Sequence, residues 1–187
     1  GPEGPVSRSA GCSGPFESRV GVMKQKLEKI KVLVLDVDGV LTDGRIIVDD
    51  TGKELKNFDV KDGLGLVLLM KKGIKTAIIS ARSSKAVTAR AKDLKIHKVY
   101  QDAYPKTEAY EALLKSFKVS DNEVCFIGDD LPDISVLKRV GFAVTVPDAP
   151  VEVKGVCDYV TKKDGGKGAV RELVELILKN QNKWDIA

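Results

Sequence analysis

The 187-residue sequence has a single histidine, His97, and only 5% aromatic residues. One histidine argues against Ser-His-Asp catalysis and against histidine metal clusters, so we expect His97 to be structural. The three cysteines, Cys12, Cys125 and Cys157, are odd in number and lack metal-site spacing, which favours a reducing, cytoplasmic setting. No apolar run approaches the roughly 20 residues that span a bilayer, so no membrane association is expected.

Charge of neither sign dominates the chain. Charged residues make up 31% of it and the net charge is +4. Because the lysines are dispersed and no basic stretch is interleaved with aromatics, we expect a solvated charged surface and no nucleic-acid partner. The length and the hydrophobic content of 43% are typical of one globular domain.

Residues 1–22 are rich in glycine, proline and serine and have no periodic pattern. They lack the basic start and apolar centre of a signal peptide. We therefore expect a disordered leader or a remnant of cloning, followed from Met23 onward by a single domain, residues 23–187.

Short apolar runs alternate with amphipathic segments over the rest of the chain. Strands are predicted at 32–35, 74–79, 99–100, 124–127, 142–146 and 159–160, and helices at 62–72, 84–94, 106–117, 134–140, 150–156 and 169–178. A polar turn at 49–52 between two short extended runs indicates a β-hairpin. The pattern predicts an α/β, Rossmann-like fold: a mainly parallel sheet with helices on both faces and a hairpin insertion.

Polar side chains follow the predicted strands where each strand ends. Two carboxylates follow the first strand, and the others come after later strands: Asp36, Asp38, Ser80, Lys106 and Asp129. Because ligands bind at the carboxyl ends of parallel strands, we expect these side chains to form one site. Carboxylates repel one another unless a cation lies among them, and oxygen ligands beside an anionic substrate suit Mg²⁺.

The same residue types are those that phosphoryl transfer requires. We expect Lys106 and the Ser80 hydroxyl to hold phosphate oxygens while a carboxylate attacks in line. Each residue also has a simpler alternative role, a turn hydroxyl for Ser80 and a solvated first-turn lysine for Lys106. The order of all these residues along the chain favours the interpretation that they form one phosphoryl-transfer site.

Four segments resemble, in order, the signature motifs of the haloacid dehalogenase superfamily: Asp-Val-Asp-Gly-Val at 36–40, Ser80, Lys106 and Gly-Asp-Asp-Leu-Pro-Asp at 128–133. The resemblance covers about residues 31–178. Members usually have Ser-Gly-Arg where this chain has Ser80-Ala81-Arg82, so the loop shape is expected to differ there.

The resemblance implies roles for the acidic residues. Asp36 would be the nucleophile that forms an aspartyl-phosphate, and Asp38 the general acid/base. Mg²⁺ would be held by Asp36, the backbone carbonyl of Asp38 and Asp129, with Asp133 orienting those ligands.

Four further features resemble superfamily members that act on phosphorylated sugar acids: residues 38–44, the hairpin, Asp62-Gly63 and residues 165–172. The resemblance implies 3-deoxy-D-manno-octulosonate 8-phosphate as substrate, with 2-keto-3-deoxy-nononate 9-phosphate as the alternative. The expected substrate contacts are Asp62, Gly63, Arg82, Lys106 and Arg171. Asp62 and Gly63 are equally plausible as a helix start, and Arg82 as a surface residue.

The motif spacing leaves no room for a cap domain, because only 23 residues separate Asp38 from Asp62 and only 25 separate Ser80 from Lys106. A neighbouring subunit is then the available cover for the site. The resemblance implies a homotetramer with central hairpins, in which a neighbour's carboxyl-terminal segment reaches the site. Arg171 and the neighbouring glycine-rich run are the candidates for this contact.

Two other classes remain open at this point. A catalytically silent relative could serve in assembly, as in some nucleotide-sugar-acid synthetases, although retention of Asp36, Asp38, Lys106 and Asp129 argues against silence. A phospho-receiver domain also combines acids, a hydroxyl and a lysine, but it needs no second acid two residues after the nucleophile.

Overall fold

The computed structural model describes residues 15–185, with side chains from residue 18. The strands are β1 (Val32–Leu35), β2 (Ile47–Val48), β3 (Glu54–Leu55), β4 (Lys75–Ile79), β5 (Lys98–Tyr100), β6 (Val124–Ile127), β7 (Phe142–Thr145) and β8 (Tyr159–Val160). The α-helices are α1 (Pro15–Glu28), α2 (Val60–Lys71), α3 (Lys85–Leu94), α4 (Lys106–Phe117), α5 (Ile134–Leu137), α6 (Val151–Lys154) and α7 (Ala169–Asn180).

Six of the strands form one sheet in the order β5-β4-β1-β6-β7-β8, and every neighbouring pair is parallel. All residues of β1, β6 and β7 are buried, as expected where helices cover both faces of a parallel sheet. The chain runs outward from β1 in both directions, and right-handed crossovers then place helices on opposite faces. The predicted α/β fold is confirmed.

The central position of β1 determines where the site lies. Leu35, its last residue, pairs with Ile78 of β4 and with Ile127 of β6. The loops that leave these three strands therefore emerge side by side at one edge of the sheet. This edge receives the polar residues that follow each strand.

The predicted hairpin is confirmed as the antiparallel pair β2 and β3, with Ile47 opposite Leu55. The turn ends at Gly52, whose positive φ of 79° suits glycine. The hairpin lies outside the main sheet, between β1 and α2 in the chain. It is the only insertion between the first and second motif, so the chain has no cap there.

Helix α1 differs from the expectation for the leader. It begins at Pro15, so residues 15–22 are helical where we expected disorder. Residues 18–22 are exposed, whereas Leu27 near the end of the helix is fully buried and Lys26 forms an ion pair of 2.6 Å with Asp158. The helix is thus anchored to the domain through its last turns. Residues 1–14 lie outside the described residues, and the division at Met23 stays a prediction.

Helix α7 provides much of the core on its side of the sheet. Its buried residues recur at helical spacing, and it packs mainly against α2. Within residues 15–185, no helix combines the length and apolarity that crossing a membrane requires.

Candidate active site

The edge of the sheet beyond β1, β4 and β6 holds a cavity of about 140 Å³. Asp36 follows β1, Ser80 follows β4 and Asp129 follows β6. The structure therefore brings together the residues that the sequence placed in one site. The cavity is lined by Asp36, Asp38, Ser80, Ala81, Arg82, Lys106, Asp129, Asp130, Pro132 and Asp133.

Lys106 is buried between two carboxylates, with only 2% of its surface exposed. Its ammonium group lies 2.9 Å from Asp36 Oδ1 and donates a hydrogen bond of 2.6 Å to Asp133 Oδ1. Burial alone would lower the pKa of Lys106, but the two carboxylates outweigh it and raise the pKa. Lys106 is thus a permanent cation inside the site and not a solvated residue of the first turn of α4.

Asp133 connects this lysine to the loop that carries Asp129. Its Oδ2 accepts hydrogen bonds from the backbone N–H groups of Asp129, at 2.9 Å, and Asp130, at 3.2 Å. The carboxylate lies so close to Gly128 that a Cβ there would be 2.5 Å from Asp133 Cγ. The Gly-Asp-Asp sequence therefore has a structural reason: only glycine leaves room for the buried carboxylate that shapes the loop.

Asp36 and Asp129 lie close together in a largely buried site, where both carboxyl groups cannot easily be ionised at once. Burial and the neighbouring Asp133 raise the pKa of Asp36 above its ordinary value, and Lys106 only partly offsets this. Burial, Asp36 and Asp133 raise the pKa of Asp129. Oxygen atoms of Asp36, Asp129 and Asp133 lie within 4.8 Å of one another. An all-oxygen set with excess negative charge beside a small cavity fits a hard divalent cation such as Mg²⁺.

A tight turn after Asp38 fits closely against these carboxylates. The backbone N–H groups of Val40 and Leu41 both bond the carbonyl of Val37. Gly39 has a φ of 84°, and a Cβ at this position would overlap the carboxylate of Asp129. A larger residue at position 39 would displace the acidic loop.

The glycine-rich run that precedes α7 packs on this turn from behind. The backbone N–H of Gly166 donates to the carbonyl of Val40 at 2.9 Å, and a Cβ on Gly165 would overlap the carbonyl of Gly39. We expected this run to reach a neighbour's site. In the described chain it supports the site of its own subunit.

Asp38 points toward the hairpin. Lys56, which follows β3, donates a hydrogen bond of 2.6 Å to Asp38 Oδ1. Lys56 also lies 2.6 Å from Glu54, and Glu54 in turn accepts a hydrogen bond of 2.6 Å from Arg82. Sequence reasoning missed Glu54 and Lys56. Their spacing could have indicated a shared contact, because residues two positions apart in a strand have side chains on the same face.

Three residues that we expected to contact substrate do not line the cavity: Asp62, Gly63 and Arg171. Asp62 is buried and accepts a hydrogen bond of 2.9 Å from the backbone N–H of Arg171, and so joins α2 to the first turn of α7. Arg171 pairs with Glu175 and lies over the Trp184 ring. Their role as substrate contacts stays a prediction.

His97 has a structural role, as expected. Its Nδ1 lies 3.2 Å from the backbone N–H of Thr76, and its ring packs edge-on against Phe117. Both contacts lie among the helices and strands of the domain, and His97 does not line the cavity.

A parallel sheet that presents two aspartates, a buried lysine and an acidic loop at adjacent strand ends defines a class: an α/β enzyme that handles phosphoryl groups beside a divalent cation. A family model described as haloacid dehalogenase-like hydrolase matches residues 95–173. The chain is 42% identical over 178 residues to 3-deoxy-D-manno-octulosonate 8-phosphate phosphatase of Escherichia coli strain K12, an alignment of 95% of this chain and 93% of the relative.

Solved structures are similar over most of the chain. A putative haloacid dehalogenase superfamily hydrolase, subfamily III A, from Legionella pneumophila superposes with a TM-score of 0.88 at 44% identity, over 90% of this chain and 92% of that one. The Moraxella catarrhalis 3-deoxy-D-manno-octulosonate 8-phosphate phosphatase, in complex with magnesium, phosphate and KDO, superposes with a TM-score of 0.85 at 45% identity, over 87% and 94%.

The chain belongs to the haloacid dehalogenase-like hydrolases. Like these relatives, it is a phosphatase. Because 178 of its 187 residues align with the Escherichia coli relative, the alignment reaches into residues 1–22. The origin of residues 1–22 stays a prediction.

Proposed function

We propose that the protein is a Mg²⁺-dependent phosphatase that hydrolyses 3-deoxy-D-manno-octulosonate 8-phosphate through an aspartyl-phosphate on Asp36. The observation that carries the proposal is the buried Lys106, which lies between Asp36 and Asp133 at the edge of a cavity that Asp129 also lines. The relatives at 42% and 45% identity carry that substrate in their names, which supports the choice of sugar acid.

The reaction begins at the carboxylate of Asp36. One of its oxygens attacks phosphorus and forms an acyl phosphate, while the bond from phosphorus to the sugar oxygen breaks. Asp38 gives its proton to the departing sugar oxygen. In the second step, Asp38 accepts a proton from water, the water oxygen attacks phosphorus, and the bond to Asp36 breaks, which releases phosphate and restores both acids.

The remaining residues orient the phosphoryl group and balance its charge. Mg²⁺, held by Asp36, Asp129 and the backbone carbonyl of Asp38, would neutralise charge on the phosphoryl oxygens. Lys106 holds one oxygen of Asp36, which leaves the other for attack. Ser80 is buried at the end of β4, and its hydroxyl, which accepts from the Arg82 backbone N–H, retains its own proton to donate to phosphate.

A homotetramer in which the hairpins pack together is part of this proposal. The hairpin exposes the apolar side chains of Ile46, Ile47, Val48 and Leu55. Apolar side chains clustered on a projecting hairpin favour burial against copies of the same surface. Sedimentation should give a tetramer, and Ile47→Glu with Leu55→Glu should dissociate it; a fully active wild-type monomer would contradict the arrangement.

A cytoplasmic location is also proposed. Cys125 and Cys157 are free thiols in the structure, and unpaired cysteines suit a reducing compartment. Fractionation of the native host would test it.

The test of the proposed activity is a screen for Mg²⁺-dependent phosphate release over phosphorylated sugar acids, including the eight-carbon and nine-carbon keto acids. We expect the eight-carbon compound to have the highest kcat/KM and Asp36→Asn to abolish turnover. Asp50→Asn, an exposed acid of the hairpin turn, is the matched control. A higher kcat/KM for the nine-carbon compound would identify that compound as the substrate instead. Activity in Asp36→Asn would show that the nucleophile is another residue.

A further inference from the structure

Four charged side chains at the mouth of the cavity form a closed ring. Lys56 Nζ lies 2.6 Å from Asp38 Oδ1 and 2.6 Å from Glu54 Oε1. Arg82 Nη2 lies 2.6 Å from Glu54 Oε2, and Arg82 Nη1 closes the ring at 4.0 Å from Asp38 Oδ2. Two members come from the hairpin and two from the loops after β1 and β4.

Lys56 is the member of the ring that is shielded from water. Only 4% of its side chain is exposed, against 25% for Asp38 and 23% for Glu54. Burial alone would lower the pKa of Lys56, but its two carboxylate partners outweigh this and raise the pKa. An ammonium held by two carboxylates has little freedom to move, so Lys56 holds the Asp38 carboxylate in a fixed position.

The two oxygens of Asp38 are held unequally. Among residues 18–185, Lys56 is the only side chain that hydrogen-bonds this carboxylate, and it bonds Oδ1. Oδ2 has only the longer contact with Arg82. The ring therefore fixes the orientation of the carboxylate through one oxygen and leaves the other available to a proton.

We propose that Lys56 is a positioning residue that orients Asp38 for proton transfer, and that Glu54 holds Lys56 in place by bridging it to Arg82. The inference rests on the proposed function, in which Asp38 is the acid/base. Proton transfer requires the acid within hydrogen-bond reach of the departing oxygen, and a small misplacement of a reacting group is costly. The hairpin is then part of the active site of its own chain, apart from any role in assembly.

The decisive variant is Lys56→Met, which keeps the length of the side chain and removes its charge. Asp38 and Glu54 remain partly exposed to water, so their charges can be hydrated when the ammonium is gone. We expect kcat for the sugar acid phosphate to fall roughly 10- to 100-fold, with KM within about 2-fold of wild type. Lys56→Arg should restore part of kcat, and Lys53→Met, an exposed lysine of the same hairpin, should match wild type.

The leaving group separates positioning from general damage. p-Nitrophenolate leaves without a proton, so the single-turnover release of p-nitrophenol from p-nitrophenyl phosphate should stay within about 2-fold of wild type in Lys56→Met. Glu54→Gln should give the same pattern with a smaller loss. If Lys56→Met proves too unstable to assay, Glu54→Gln carries the test by itself.

Three results would overturn the inference while leaving the proposed function intact: an unchanged kcat, a raised KM at constant kcat, or an equal loss in the first turnover of p-nitrophenyl phosphate. An unchanged kcat would show that Lys56 does not assist proton transfer. A raised KM alone would make Lys56 a substrate contact, and an equal loss with p-nitrophenyl phosphate would indicate a generally disrupted site. Absence of phosphate release by the wild-type enzyme would instead remove the proposed function, and this inference with it.

Discussion

Lys106 donates a hydrogen bond of 2.6 Å to Asp133, and both side chains are almost completely buried. The contact joins the first residue of α4 to the loop after β6. The same ammonium also contacts Asp36, the proposed nucleophile, so it determines how Asp36 and the acidic loop face each other. Removing it would leave Asp36 and Asp133 without a cationic partner in a poorly hydrated site.

Lys106→Met should therefore destabilise the protein strongly. We expect a loss of about 3–5 kcal/mol in the free energy of unfolding, because a buried pair is broken from one side. Mg²⁺ should recover part of it by supplying positive charge to the same carboxylates. Urea unfolding with and without Mg²⁺ measures both effects, and Lys115→Met, an exposed lysine of the same helix, is the control. Equal stability of the two variants would contradict the electrostatic role of Lys106.

Asp129→Asn should separate stability from metal binding. Burial and the neighbouring Asp36 and Asp133 raise the pKa of Asp129, so its charged form is unfavourable when no cation is present. The neutral amide should make the metal-free protein about 1–3 kcal/mol more stable at neutral pH. It should also abolish the rise in unfolding temperature that Mg²⁺ produces in wild type. A Mg²⁺-induced rise equal to that of wild type would remove Asp129 from the metal site.

Asp62 should make the stability of the folded protein depend on pH. Burial raises its pKa to about 6 in the folded protein, against 3.8 for the free side chain. Between these values the folded protein binds more protons than the unfolded one, so this group's stabilising contribution is complete below about pH 4 and is lost as the pH rises through about 6.

Asp62→Asn keeps the acceptor for the Arg171 N–H and cannot ionise. Relative to wild type, we expect its stability to improve by up to about 3 kcal/mol between pH 4 and pH 7. Denaturant unfolding at both values tests this. A stability difference that does not change with pH would show that Asp62 ionises normally.

Gly165→Ala tests the packing of the glycine-rich run on the turn after Asp38. A Cβ at Gly165 would overlap the carbonyl of Gly39, so either the run or the turn must move. We expect destabilisation of about 1–3 kcal/mol from the forced overlap, and a lower kcat because the turn follows Asp38, the proposed acid/base. Gly21→Ala, where a Cβ meets nothing within 4 Å, is the control. A Gly165→Ala enzyme with wild-type kcat would show that the turn is not supported from this side.

The sequence predicted the local features of the fold well, because they depend on neighbours in the chain. The structure places α4 at Lys106–Phe117 and β6 at Val124–Ile127, with the predicted bounds. The helix predicted at 84–94 is α3, and Ser84 caps it by accepting a hydrogen bond from the Ala86 backbone N–H. The convergence of Asp36, Ser80 and Asp129 also followed, since parallel strands place their carboxyl ends together.

Contacts between distant segments were not predictable from the same patterns. The hydrogen bond from Lys56 to Asp38 depends on how the hairpin folds back, which motif spacing does not specify. Asp62 and Arg171 are far apart in the chain, and their contact arises from the packing of α2 on α7. The helical start at Pro15 was missed because residues 15–22 carry no apolar periodicity and depend on anchoring at Leu27.

The most direct test of the account is chemical trapping of the phosphoryl group. Asp38→Ala enzyme should be mixed with Mg²⁺ and p-nitrophenyl phosphate, whose leaving group needs no proton from Asp38, then quenched in acid and analysed by peptide mass spectrometry. In the proposed mechanism Asp38 activates water in the second step, so its loss should let the covalent intermediate accumulate. We predict a hydroxylamine-sensitive phosphoryl group on Asp36. A phosphoryl group on another residue, or none while wild-type enzyme turns over the same substrate, would contradict nucleophilic attack by Asp36.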